Sequence, residues 1–226
     1  MHRAWGSAAF VVVMGTGSVA QAEEWGVAGP YAVEVGPHAG VVGRVDDPPQ
    51  FSSDTRVGGA VGFELGLWVS RRIAFTVRYD HSGLGSESSG TPELDVKLGR
   101  ELDALGASIR LDPIRVDPVS LYFRVGPSLV WQQVALNGFV RDPVTPDQAS
   151  ALNCDATGVG FGVSAAIGVD TELASDLHLG AEGGFDNYRL SDEVLGVCAP
   201  GAGTATQLGF RLRLSYRWSL GEDEDG

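Results

Sequence analysis

After residue 22 this sequence has no apolar run long enough to cross a bilayer as a helix. Gly, Arg, Asp or Glu breaks every hydrophobic stretch, whereas a spanning helix takes about 20 apolar residues. That excludes helical membrane spans and leaves a water-soluble fold or a membrane barrel, the only other structure that satisfies its own backbone in lipid. Basic residues are scarce too. The chain carries 16 Lys+Arg against 29 Asp+Glu, a balance that repels phosphate backbones and sets nucleic acid aside as a partner. Only 2 Cys occur, too few for a disulfide-stapled miniature fold or a structural zinc site. No segment beyond the N-terminus repeats with a 3.6-residue period, so no helix of consequence is expected. A nucleophile elbow, a Gly-rich phosphate loop and a metal-spaced His pair are all missing. No catalytic residue, cofactor or metal is therefore predicted, and the chain is not expected to be an enzyme.

What is present begins with an address. His2 and Arg3 lead into Ala8-Ala9-Phe10-Val11-Val12-Val13-Met14, and Ala20-Gln21-Ala22 places small residues where a signal peptidase reads. Cleavage after Ala22 would remove 22 of 226 residues and leave 204. The chain then divides into a signal peptide (1–22), a short lead (23–27), one β domain (28–218) and an acidic tail (219–226). Export to an oxidising compartment fits the two cysteines, Cys154 and Cys198, which fall in the third and fourth long connections and are expected to form one disulfide.

The strongest signal is strict alternation of apolar with small or polar residues, the mark of strands with two unlike faces. Val61, Phe63, Leu65, Leu67 and Val69 alternate with Gly62, Glu64 and Gly66. The same pattern runs through Ile73 to Asp80, Leu121 to Trp131 and Leu208 to Trp218. It runs more weakly through Tyr31 to Gly43, Ala104 to Leu111, Gly158 to Asp170 and Leu177 to Asp186. Eight strands of about ten residues suit a tilted transmembrane strand. Their connections alternate in length: short at 70–72, 112–118 and 172–176, long at 44–57, 81–101, 133–157 and 187–203. All short turns then lie at one end, the periplasmic one in a transmembrane barrel, and all long loops at the exterior.

Face polarity separates the two remaining architectures. A soluble barrel shows charge outside, whereas a membrane barrel puts its apolar face out and a polar or small-residue face in. Here the second face is rich in Gly, including Gly58, Gly62, Gly66, Gly160, Gly162, Gly168, Gly180 and Gly184, which suits a lumen only wide enough for side chains. The charges on that face are matched. The tight turn sets Glu64 directly opposite Arg78, Glu182 and Arg213 lie at similar heights, and Glu34 meets Arg213 and Arg217 across the seam, with Arg110, Arg124 and Arg211 adding positive charge. Because a charge in a narrow lumen needs a partner or water, these nine residues read as an interlocking structural plug. An ion path or a catalytic dyad is the functional alternative.

Other features complete the expectation. Trp131, Tyr79, Phe161 and Phe185 fall near the long-loop end of the apolar face, and Tyr216, Trp218, Phe123 and Phe75 near the other, as lipid interfaces select. Trp68 points inward unless a bulge intervenes, and Pro37 and Pro127, each after Val-Gly, call for bulges. His38 and His178 fall on the small-residue face as packed or solvated groups.

Together the export signal, eight strands, alternating connections and the aromatic-ended last strand Leu208 to Trp218 resemble the OmpA/OmpX-like small outer-membrane barrels. That resemblance implies an all-β, eight-stranded antiparallel up-and-down transmembrane barrel and a monomer. It implies insertion by the barrel-assembly machinery, which reads the last strand. It implies contact with outer-membrane lipid and lipopolysaccharide, and a structural or surface-interaction role through the exterior loops with a partner still to be identified. The sequence departs from the usual ending by continuing past Trp218 into Glu222-Asp223-Glu224-Asp225. Some relatives modify lipid A with His and Ser or acidic residues, a chemistry hinted at here only by His81-Ser82. Asp46, Asp47, Asp54, Glu87, Glu93, Asp142, Asp147, Asp192 and Glu193 are loop carboxylates open to divalent cations between lipopolysaccharide molecules. The competing class is a soluble, lipocalin-like exported barrel with its apolar face turned inward around a small apolar ligand.

Overall fold

The computed structural model describes residues 32–46, 57–91, 94–141, 149–190 and 203–220. The predicted signal peptide, the lead, Cys198 and most of the acidic tail lie outside these residues, as does the Cys154 side chain, so the expected disulfide does too. Eight antiparallel strands close into one barrel in sequence order: β1 (Ala32–Asp46), β2 (Val57–Trp68), β3 (Ile73–Thr91), β4 (Leu94–Val116), β5 (Val119–Arg141), β6 (Ala149–Ala174), β7 (Leu177–Leu190) and β8 (Gly203–Ser219). The seam is made by β1 against β8, from Ala32↔Ser219 upward.

Alternation becomes two surfaces. In β2, Val61, Phe63, Leu65 and Leu67 are exposed while Ala60, Glu64 and Trp68 are buried. In β8, Leu208, Phe210, Leu212, Leu214 and Tyr216 are exposed while Arg211, Arg213 and Ser215 are buried. Phe161 is 74% exposed and Leu212 52%. A continuous belt of large apolar side chains around a charged interior is the polarity of a membrane barrel. It overturns the soluble alternative, which would need the arginines outside and this belt within.

The tight turns are short for identifiable reasons. Between β2 and β3, the Ser70 hydroxyl accepts the Arg72 and Ile73 amides at 3.2 and 3.1 Å, an ordinary hydroxyl-stabilised turn. Asp117-Pro118 alone joins β4 to β5. Ser175-Asp176 joins β6 to β7, with Asp176 at φ 69°, a left-handed position that Asp tolerates.

Two expectations need correction. The connections 81–101 and 133–157 are largely strand: β3 pairs with β4 as far as Thr91↔Leu94, and β5 with β6 as far as Arg141↔Ala149. Alternation marks only the part of a strand that has an apolar face, and beyond the belt neither face needs one. No register shift accompanies Pro37 or Pro127. The β1–β8 and β4–β5 ladders omit the rungs beside them and resume unshifted, Val35↔Tyr216 then His38↔Arg213, and Gly106↔Ser128 then Ile109↔Val125. Both prolines face outward and are exposed, so an interrupted ladder replaces a bulge. Trp68 does point inward, 2% exposed, with β2 in unbroken register on both sides.

Candidate functional site

The nine predicted lumen residues all fall on the inner face. Eight of them, all but the half-buried Arg217, are buried. At the turn end Glu34 is a hub. It accepts the Trp68 indole N–H at 2.8 Å, the Ser215 hydroxyl at 2.7 Å, and Arg217 through Nε and Nη2 at 2.9 and 2.7 Å. Arg213 lies 3.1 Å from it. Arg217 stacks over the Trp68 ring, 4.0 Å from its centroid, so the inward tryptophan serves as a platform for the cation. Arg110 sits over Tyr122 at 4.0 Å and donates to Asp112 at 2.8 Å and Asp170 at 2.9 Å. Asp170 also accepts Arg213 at 3.2 Å and Arg217 at 3.4 Å.

One level up, Arg124 bridges Glu64 and Glu182, Arg78 donates to Glu182 at 2.7 Å, and Tyr122 donates to Glu182 at 3.1 Å. Above these, Asp80 binds Arg78 at 2.7 Å, Arg211 at 3.0 Å and His38 Nε2 at 2.9 Å, and Arg211 reaches Asp186 at 3.4 Å. Six arginines (78, 110, 124, 211, 213, 217) thus face seven carboxylates (34, 64, 80, 112, 170, 182, 186) in one connected network. Near balance of sign is what a low-dielectric interior requires.

Placement and pairing differ. Glu64 and Arg78 are Cα partners, as expected from the turn, yet neither binds the other: Glu64 binds Arg124 and Arg213, and Arg78 binds Asp80 on its own strand and Glu182 across the lumen. Glu182 sits opposite Arg211 rather than Arg213, which faces Gly180. In so narrow a barrel every luminal side chain points at the axis, so long ones meet partners several strands away. Sequence reading missed Asp80, Asp112, Asp170, Asp186 and Tyr122. Their parity was the available signal, since each lies an even number of residues from a predicted lumen group or glycine.

Small residues make the room. A Cβ on Gly168 would press into the Tyr122 ring and lie 2.7 Å from the Ala181 carbonyl oxygen. Gly168→Val is therefore expected to destabilise the barrel by about 1–3 kcal/mol or more, read as a lower urea midpoint for unfolding from lipid vesicles. An unchanged midpoint would mean that Tyr122 moves freely.

Toward the mouth the lumen changes character, which the sequence did not suggest. A cavity of about 20 Å³, enough for one or two waters, is bounded below by Arg78, Asp80, Asp186 and Arg211 and above by Leu102, Val130 and Tyr188. Over it lies an apolar layer of Val42, Leu84, Leu102, Val130 and Leu190 with Tyr188, crossed by Arg44, which donates to Gln132 at 2.7 Å and to Tyr188.

On the outside, the eight predicted girdle aromatics all face out: Tyr79, Phe161 and Phe185, and at the turn end Phe75, Phe123, Tyr216 and Trp218, are exposed, with Trp131 half-buried. Tyr216 and Trp218 stack with centroids 5.8 Å apart. His81 and Ser82 are not brought together. Ser82 is buried in the lumen and donates to the Leu102 carbonyl at 3.3 Å, whereas His81 faces out and meets Asp103 at 2.9 Å. His38 is buried against Asp80, and His178 is buried at the turn end. Of the nine loop carboxylates, Asp46 and Glu87 fall at strand positions and the rest lie outside the described residues.

No family model matches the chain, and no curated protein matches it either. Solved structures do match in fold. A major outer membrane protein from Thermus thermophilus is 12% identical with a TM-score of 0.51, covering 82% of this chain and 99% of that one. Neisserial surface protein A is 15% identical with a TM-score of 0.48, covering 83% and 99%. Ail, the attachment invasion locus protein of Yersinia pestis, is 12% identical with a TM-score of 0.43, covering 82% and 98%. At these identities the likeness is one of fold, carried by the Thermus structure, and the resemblance to OmpA/OmpX-like small outer-membrane barrels holds at that level.

Proposed function

We propose that this protein is a closed-lumen barrel of the bacterial outer membrane, exported by its N-terminal signal and working as a structural and surface-interaction protein through the exterior ends of its strands. The observation that carries this reading is the continuous ion-pair network from Glu34 to Asp186, which fills the lumen at the level of the apolar belt. Arginines locked to carboxylates, below an apolar layer crossed by the paired Arg44 and Gln132, leave little room for a solute, and none of these groups is a nucleophile beside a free base. Lipid and lipopolysaccharide against the belt, the assembly machinery at the last strand, and a monomeric state belong to the same reading.

The test is direct. The full-length chain, expressed in a Gram-negative host, is expected in the outer-membrane fraction and to change mobility between unheated and boiled SDS samples. In planar bilayers the purified barrel is expected to give no steady conductance. Recovery as a soluble periplasmic protein would overturn the membrane assignment, and stable single-channel steps would overturn the closed lumen.

A further inference from the structure

Most of the outward surface is lipid-compatible, but one part of it carries organised polar groups. On β3 and β4, just above the belt, Asp103 Oδ1 accepts the Tyr79 hydroxyl at 2.6 Å and pairs with His81 Nδ1 at 2.9 Å. The His81 and Asp103 side chains are 42% and 21% exposed. Across the next ladder Asp103 faces Trp131, and two rungs higher Glu101 faces Gln133. Directly below, on the same outer face, Tyr79 is flanked by Phe63 and Leu105, and Leu105 by Leu129.

This arrangement is specific. With both described donors on Oδ1, Asp103 Oδ2 has no hydrogen bond among the described residues. The His81 ring is held by its Nδ1 edge, so Nε2 is turned away from Asp103. Asp103 Oδ2 and His81 Nε2 are thus presented beside Tyr79 and the cross-strand neighbour Trp131, with a further carboxylate and a carboxamide above. On the β7–β8 wall, by contrast, Asn187 donates to Thr206 at 2.9 Å. A carboxylate on the lipid-facing side is unfavourable in the hydrocarbon and tolerable near the interface, so its place is the headgroup level.

We propose that Tyr79, His81, Asp103 and Trp131, with Glu101 and Gln133 above them, form a docking site for the sugar headgroup of an outer-leaflet glycolipid. The inference rests on the membrane reading above and adds the class of lipid. Sugars present hydroxyl donors at their edges and C–H groups on their faces, matching carboxylate acceptors beside aromatic rings. Acyl chains would lie on Phe63, Leu105 and Leu129. A phosphate headgroup fits poorly, because Asp103 and Glu101 are acidic and the six residues include no Arg or Lys.

The experiment uses the full mature barrel in phosphatidylcholine nanodiscs doped with monoglucosyl diacylglycerol or, separately, phosphatidylethanolamine. Lipid retained on release is counted by native mass spectrometry. The glucolipid is expected to be retained in preference to both phospholipids. Asp103→Asn and Trp131→Leu should each lower that retention about fivefold, the scale of one hydrogen bond or aromatic contact, with the heat-dependent gel shift intact. Equal retention by wild type and both variants would overturn the site. So would phosphatidylethanolamine held as well as the glucolipid, which would identify amine capture by the carboxylates. A wild-type chain that gives no gel shift and does not enter nanodiscs would instead defeat the underlying membrane reading.

Discussion

Glu34→Ala is expected to lower the unfolding free energy of the barrel by about 3–5 kcal/mol, the usual cost of stranding a buried charge. The substitution removes the acceptor of the Trp68 indole and the Ser215 hydroxyl together with the main partner of Arg217. It also strips one carboxylate from Arg213, which keeps Glu64 and Asp170. The position matters as much as the count, because Glu34 is the Cα partner of Arg217 where β1 closes on β8. Urea titration of vesicle-reconstituted protein, followed by tryptophan fluorescence, measures the loss directly. Resistance to cold SDS should fall in parallel. A loss below about 1 kcal/mol, the value of a solvated surface pair, would mean that water or Asp170 takes over and that the network is redundant at the seam.

The second large effect is one residue away from a luminal arginine. Leu212 and Arg213 are neighbours in β8, the first 52% exposed and the second 6%. Leu212→Arg should cost about 2–4 kcal/mol, the penalty for a cation on the lipid face near the bilayer midplane, and should reduce outer-membrane recovery. In water the same change on an exposed strand position would stay within about 0.5 kcal/mol. The size of the loss in the vesicle titration therefore measures whether lipid covers this surface. A negligible loss would overturn the assignment of the belt.

Much of the architecture was legible because a period of two is a backbone property that lipid and lumen both read. The tight turn at 70–72 set the Glu64 and Arg78 rungs opposite each other, and the structure keeps that register. Trp68 followed parity inward, with no bulge to turn it out. Three things were not legible. Ion-pair partners depend on reach across the axis, which strand-to-strand register does not encode, so Glu64 holds Arg124 and Arg213 instead of its neighbour. Strand ends beyond the belt, such as Gly83 to Thr91, carry a Gly/Ser-rich sequence with no apolar face and read as loop although the backbone continues to pair. The apolar layer of Val42, Leu84, Leu102 and Leu190 stayed hidden because each residue lies where the strands were expected to have ended or on a face expected to be polar.

The described ladders reach unequal heights around the mouth. Among the described residues the ladders run to Gly59↔Gly83 on one side and Gly160↔Leu190 on the other, whereas β5 and β6 stay paired to Arg141↔Ala149. From Trp131↔Val159 to that last rung are 10 residues per strand, about 30 Å of extended chain before tilt. The result is a raised two-stranded ladder on one flank of the mouth, built by backbone pairing. The segment between Arg141 and Ala149 therefore leaves from and returns to that outermost rung. Evolution, or an engineer, can exchange that peptide without touching the part of the molecule that holds it in the membrane.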